Sequence, residues 1–170
     1  LRNPARVGDG MTDLWEQVEA LEADWVAAAT PVETRPCAVV AVATGDGVTE
    51  LLEHLGVAVV VSGGQSMNPS TQQILDAVER SGGESVVVLP NNKNIVAVAE
   101  QAAALAARPV HVVPTHSVVE ALAALIELDV ERTAAANAEA MRGAAGRVRT
   151  GEVTQAVRDS QASCGPIAIG

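Results

Sequence analysis

The side chains with the most chemical potential fall in two short runs, GGQSMNPST at 63–71 and PNNKNI at 90–95. The first supplies Gly63, Gly64, Gln65, Asn68, Ser70 and Thr71, two glycines that permit close backbone approach followed by neutral hydrogen-bonding groups. The second supplies Asn91, Asn92, Lys93 and Asn94. Lys93 is the only lysine of the 170 residues, and every other cationic side chain that is not histidine is an arginine. A lysine is a compact, flexible point charge where an arginine is a planar fork, so its place inside NNKN points to a specific contact. Glycine turns and helix N-termini present backbone N–H groups to anions, and an ammonium beside them adds to that attraction. The competing reading is structural, since Asn and Gly also suit turns and caps.

Other constellations carry less. His111 and His116 have no Cys or carboxylate at ligand spacing beside them, which argues against a metal. Ser62 precedes Gly-Gly without the G-x-S-x-G elbow of a hydrolase nucleophile. GDG and SGG match neither the P-loop nor the dinucleotide fingerprint.

The elements that must hold these residues follow a regular pattern. CAVVAVA at 37–43 and VAVVV at 57–61 are β-branched runs of the kind buried on both faces of a sheet. Further strands are expected at 85–89 and 110–113, with helices over 48–55, after the second strand, over 95–107, and from Ser117 to about Leu128. Asn68 is expected as the N-cap of the second helix with Pro69 at its first position. Ser117 and Glu120 form an S-x-x-E capping box. Four strand–helix alternations predict a doubly wound, mainly parallel α/β sheet with helices on both faces. The turns TGDG, SGGQSMNPS, PNNKN and PTHS, the last containing Thr115, would then share the carboxyl edge, where open α/β sheets bind ligands. An Ala-rich helix is expected over 131–143, and EVTQAVRD at 152–159 reads as a strand that pairs with its continuation as an antiparallel edge. Residues 1–36 read as one amphipathic helix and a Pro-marked linker, the tail of a preceding domain, with the α/β domain spanning 37–170.

Composition bounds the class of partner. A net charge of -10 and a pI near 4.6 argue against nucleic acid or an anionic membrane surface. No apolar run reaches spanning length and no basic leader precedes one, so a cytoplasmic protein is expected. Cys37 and Cys164 are too few for a disulfide framework. The start without Met and the end on GPIAIG read as a fragment of something longer.

On GGQSMNPST and PNNKNI, the chain resembles the C-terminal region of the fatty-acid kinase A family, whose members are also called DAK phosphatase or dihydroxyacetone-kinase-like proteins. The resemblance runs from about Val39 through AVRD at 156–159. It implies a DegV-like fold for this region and, in the complete protein, a kinase domain that uses ATP and Mg to phosphorylate fatty acid held by a DegV-type carrier protein. None of the magnesium-holding aspartates of that domain can be located here, so no cofactor is expected in this chain. The implied role is carrier recognition in phospholipid metabolism, with no catalytic residue. The alternative is a phosphatase or dihydroxyacetone-kinase-like enzyme that binds a small phosphorylated ligand at the carboxyl edge. A homodimer is expected from the multidomain dimers of the family and from the open edge at GPIAIG. Lys93 is expected to lie beside the SGGQSMNPS turn and to contact either an anion or the carbonyls and Asn side chains of that rim.

Overall fold

The computed structural model describes residues 35–64, 67–151, 156 and 158–169. Its centre is the strand β1 (Arg35–Ala43), buried from Cys37 to Ala43. β1 pairs in parallel with β2 (Val59–Ser62) on one side and β3 (Gly83–Leu89) on the other, and β3 pairs in parallel with β4 (Val110–Val112). The strand order is β2-β1-β3-β4.

Alternation along β1 explains why so many valines are needed. Val39, Ala41 and Ala43 point into one core with Val87 and Leu89, while Val40 and Val42 point into another with Val86 and Val88. The first core is covered by α1 (Asp46–His54), α4 (Val118–Leu125) and α5 (Ala134–Ala145), through Leu52, Ala121, Leu125 and Met141. The second is covered by α2 (Thr71–Arg80) and α3 (Lys93–Leu105), through Ile74, Val78, Ile95 and Ala99. Each fully buried aliphatic side chain of this kind contributes about 1.5–3 kcal/mol. The connections β1–β2 and β2–β3 run in opposite directions across the sheet, which sends α1 and α2 to opposite faces, as right-handed crossovers require. This is the doubly wound parallel fold expected from the alternation.

Three expectations change. The N-cap of α2 is Ser70: its hydroxyl accepts from the Gln73 amide at 3.2 Å, and the Gln73 side chain accepts from the Ser70 amide at 2.8 Å, a full capping box. Asn68 is therefore outside the helix and exposed, and Pro69 is buried just before the cap. Second, β3 lies against β1, so the turn carrying Lys93 is separated from the SGGQSMNPS turn by the end of the central strand. Third, the antiparallel pair near the C-terminus is β5 (Ser160–Ala162) with β6 (Gly165–Ile167), a separate two-stranded sheet that does not extend the main one. The strand expected over 152–159 falls mainly outside the described residues.

α5 positions the last part of the domain. Its first amide, Ala134 N–H, donates to Ser85 Oγ at 3.0 Å near the start of β3, and Ser85 Oγ donates to Pro36 O at 2.6 Å. Nearer its end, Arg142 Nη2 donates to Val112 O at 3.2 Å on β4. The helix thus returns the chain from the amino edge of the sheet to the carboxyl edge, where residues 146–151 emerge.

Candidate functional site

β1 is where the winding direction of the sheet reverses, and open α/β sheets form their ligand crevice outside the carboxyl ends of the strands at such a point. A cleft of about 510 Å³ lies there. Its floor is the end of β1, Val42 to Thr44, and its walls come from Gly63 and Gly64 after β2, Pro90 to Asn92 after β3, and His116 to Val119 entering α4. Thr150 and Gly151, delivered by α5, close another side.

Two small networks fix this edge. Thr44 Oγ1 donates to Gly63 O at 2.7 Å, and the Gly63 amide donates to Ala43 O at 3.0 Å, so the turn after β2 is pinned to the end of β1. That proximity explains the glycines. A Cβ on Gly64 would lie 2.6 Å from Thr44 Oγ1, and one on Gly63 would lie 2.7 Å from Pro69 Cδ. The Gly64 amide donates to Met67 O at 2.9 Å, so one glycine amide is used by the end of β1 and the other within the turn, and neither faces outward toward an anion as the sequence suggested.

On the other side of β1, Asn91 ties three strand ends together. Its Nδ2 donates to Val42 O at 2.9 Å, past the last β1–β3 pair at Ala41 and Leu89. Its Oδ1 accepts from Thr115 Oγ1 at 2.7 Å, while its own amide donates to the same hydroxyl at 3.1 Å. Thr115 is fully buried, at 0 % exposure. Asn91 takes φ 57°, the left-handed region that Asn tolerates better than most residues. The role foreseen for Lys93, joining neighbouring turns, is thus performed by Asn91 and Thr44. Lys93 is the first residue of α3; its side chain is exposed, does not line the cleft, and makes no hydrogen bond or ion pair among the described residues.

The remaining sequence candidates divide accordingly. Gly63, Gly64, Asn91 and Asn92 line the cleft, and Thr115 lies beneath it. Asn92 caps α3 by accepting from the Asn94 backbone amide at 2.9 Å. Thr71 bonds Gln101 at 2.9 Å and so links α2 to α3. Gln65 lies outside the described residues.

Sequence reasoning missed the contribution of the segments entering and leaving the α4–α5 pair. Ser117 accepts from the Glu120 amide at 3.2 Å, half of the expected capping box. The Glu120 carboxylate turns one residue further back, accepting the His116 amide at 2.7 Å and standing 3.5 Å from His116 Nδ1. That pairing places a carboxylate beside His116, contrary to the expectation of none; the i, i+4 spacing was its only signal. His116 and Glu120 also line a second, smaller cavity of about 280 Å³, together with Arg142 and the apolar Val113, Pro114, Ala145 and Val148. Among the described residues no three His, Cys, Asp or Glu side chains gather as metal ligands. No helix among them is long and apolar enough to cross a membrane.

The family model for the C-terminal region of FakA-like proteins, those similar to the A chain of fatty acid kinase, matches residues 38–170. Protein YloV of Bacillus subtilis (strain 168) is 40% identical over 131 residues, covering 77% of this chain and 24% of that protein. An uncharacterized protein of Staphylococcus aureus (strain USA300) is 37% identical over 130 residues, covering 76% of this chain and 24% of its own length. The matched region therefore spans about a quarter of these curated relatives.

Proposed function

Because the chain belongs to the FakA-like C-terminal family of fatty acid kinase proteins, we propose that it is the carrier-recognising part of a bacterial fatty acid kinase A-like protein. In this reading ATP and magnesium act in another part of the longer protein, on fatty acid held by a DegV-type carrier, and this domain contributes binding without phosphotransfer. The observation that carries the reading is the family match over 38–170, which takes in the sheet from Ala38 onward and the cleft at its carboxyl edge. The lining supports a recognition role: Thr44, Asn92, Ser117 and Thr150 supply neutral hydrogen-bonding groups among apolar Val42, Val118 and Val119. The test is titration of the purified chain with the carrier, and an assay of the pair for acyl phosphate with ATP and magnesium. Binding without turnover is expected; acyl-phosphate formation by this chain and carrier alone would sink the proposal.

A second reading, a phosphatase or dihydroxyacetone-kinase-like site for a small phosphorylated ligand, draws on the size of the cleft, which lies in the range of small-molecule pockets. The two glycine amides that would cradle a phosphate already donate to Ala43 O and Met67 O, which favours the first reading. Isothermal titration with phosphate, ATP and dihydroxyacetone phosphate separates them, and silence for all three is expected.

A further inference from the structure

The two cavities of the carboxyl edge meet at His116, which lines both. They also share a border: Val148 lines the smaller one, and Thr150 and Gly151, two and three residues on, line the larger. The segment 148–151 therefore runs along both cavities as one rim, opposite the entry to α4. The chemistry changes along the line. At the β1 end the lining groups are neutral, with Thr44 and Asn92 among them; at the β4 end stands Arg142 beside apolar Val113 and Pro114. Among the described residues Arg142 makes one hydrogen bond, Nη2 to Val112 O, which leaves its other N–H groups directed to the cavity or to solvent. Glu120 lines the smaller cavity together with Arg142, and its carboxylate accepts from the His116 amide.

We infer that the two cavities form one trough that receives an extended polypeptide segment of the carrier, its backbone against the neutral groups of the larger cavity and an acidic side chain at Arg142. A compact metabolite would fill the larger cavity alone and would leave Arg142 unused. An extended chain needs a long, bordered path, neutral donors and acceptors for its peptide groups, and an anchor for a side chain at one end. Arginine suits that anchor because its fork matches a carboxylate. The inference rests on the carrier-recognition reading and adds to it the face, the form and the charge of what is recognised.

The test is titration of the purified chain with the carrier, using wild type, Thr150→Trp and Arg142→Glu. Thr150 is exposed and makes no hydrogen bond among the described residues, so a Trp there obstructs the trough without disturbing the core. Each variant is expected to weaken association by about tenfold or more. Reversal of one Asp or Glu on the carrier to Arg is expected to restore binding to Arg142→Glu. Thermal unfolding of each variant controls for folding. If Arg142→Glu melts early through loss of its bond to Val112 O, Arg142→Gln replaces it, which keeps a donor for that carbonyl and removes the charge. Wild-type binding by both variants overturns the trough while leaving carrier recognition standing. Weakening by Thr150→Trp alone overturns the extended segment in favour of a compact group. A carrier that fails to bind the wild-type chain overturns the inference together with the reading beneath it.

Discussion

The residue that matters most at the carboxyl edge is Asn91, and both its backbone and its side chain are committed. Asn91→Gly keeps the left-handed φ and loses the bonds to Val42 O and Thr115 Oγ1. Leaving the buried Thr115 hydroxyl without its acceptor costs about 1–3 kcal/mol. Asn91→Ala loses the same bonds and adds a Cβ in the left-handed region, a further ~1 kcal/mol. Urea unfolding should therefore rank wild type above Asn91→Gly, and that above Asn91→Ala; equal midpoints for the two variants would show that the backbone strain is unimportant. Lys93 gives the opposite case. Its exposed side chain predicts that Lys93→Met changes stability by less than about 0.5 kcal/mol. A larger loss in the same experiment would restore the stitching role that the fold assigns to Asn91 and Thr44. The sequence reading named Asn91 among its candidates but gave the stitching contact to Lys93. A rare residue type stands out in a sequence, whereas the role of Asn91 rests on a φ and three hydrogen bonds to two partners, which appear only once the strands are ordered.

At the scale of elements, the signals that could be read were those that repeat locally. CAVVAVA could only be a strand buried on both faces, and the SVVVL run behaves the same way. Strand order is a different kind of fact. It depends on which way each crossover turns, and no residue of β3 records that its neighbour is β1. The same gap hid the far wall of the cleft, because an Ala-rich α5 gives no local sign that it will carry Thr150 and Gly151 back to the carboxyl edge. The start of α2 failed for another reason. Asn68-Pro69 and Ser70-x-x-Gln73 are both good start signals, two residues apart, and the reciprocal bonds of the second decide between them. Ser70→Ala should then cost about 1 kcal/mol and Asn68→Ala close to nothing. Thermal melts of the two variants test this directly, and a larger loss from Asn68→Ala would move the cap back.

For the molecule as a whole, the centre of the sheet can be followed through its buried thiol. Cys37 is 1% exposed near the start of the central strand, and burial pushes its thiol above its ordinary value of 9.0. As pH rises past that ordinary value the unfolded chain loses the Cys37 proton while the folded chain retains it. The unfolded state then binds fewer protons, so stability falls with rising pH between the ordinary and the raised value. The chain has no Tyr, which removes one class of group that would otherwise lose protons in the same range. Urea midpoints should drop from pH 7 to pH 10, and Cys37→Ala, which loses little volume, should flatten the drop. An equal drop in the variant would place the cause elsewhere. The same thiol also reports cooperativity. Cys164 is exposed and should react with a thiol reagent in the native state, whereas Cys37 is buried where β1 pairs with β3 through Ser85. Reaching Cys37 requires opening the sheet itself, so its labelling should track global unfolding across a urea series. Fast labelling of Cys37 in native buffer would mean that β1 frays from its amino end without the rest of the domain.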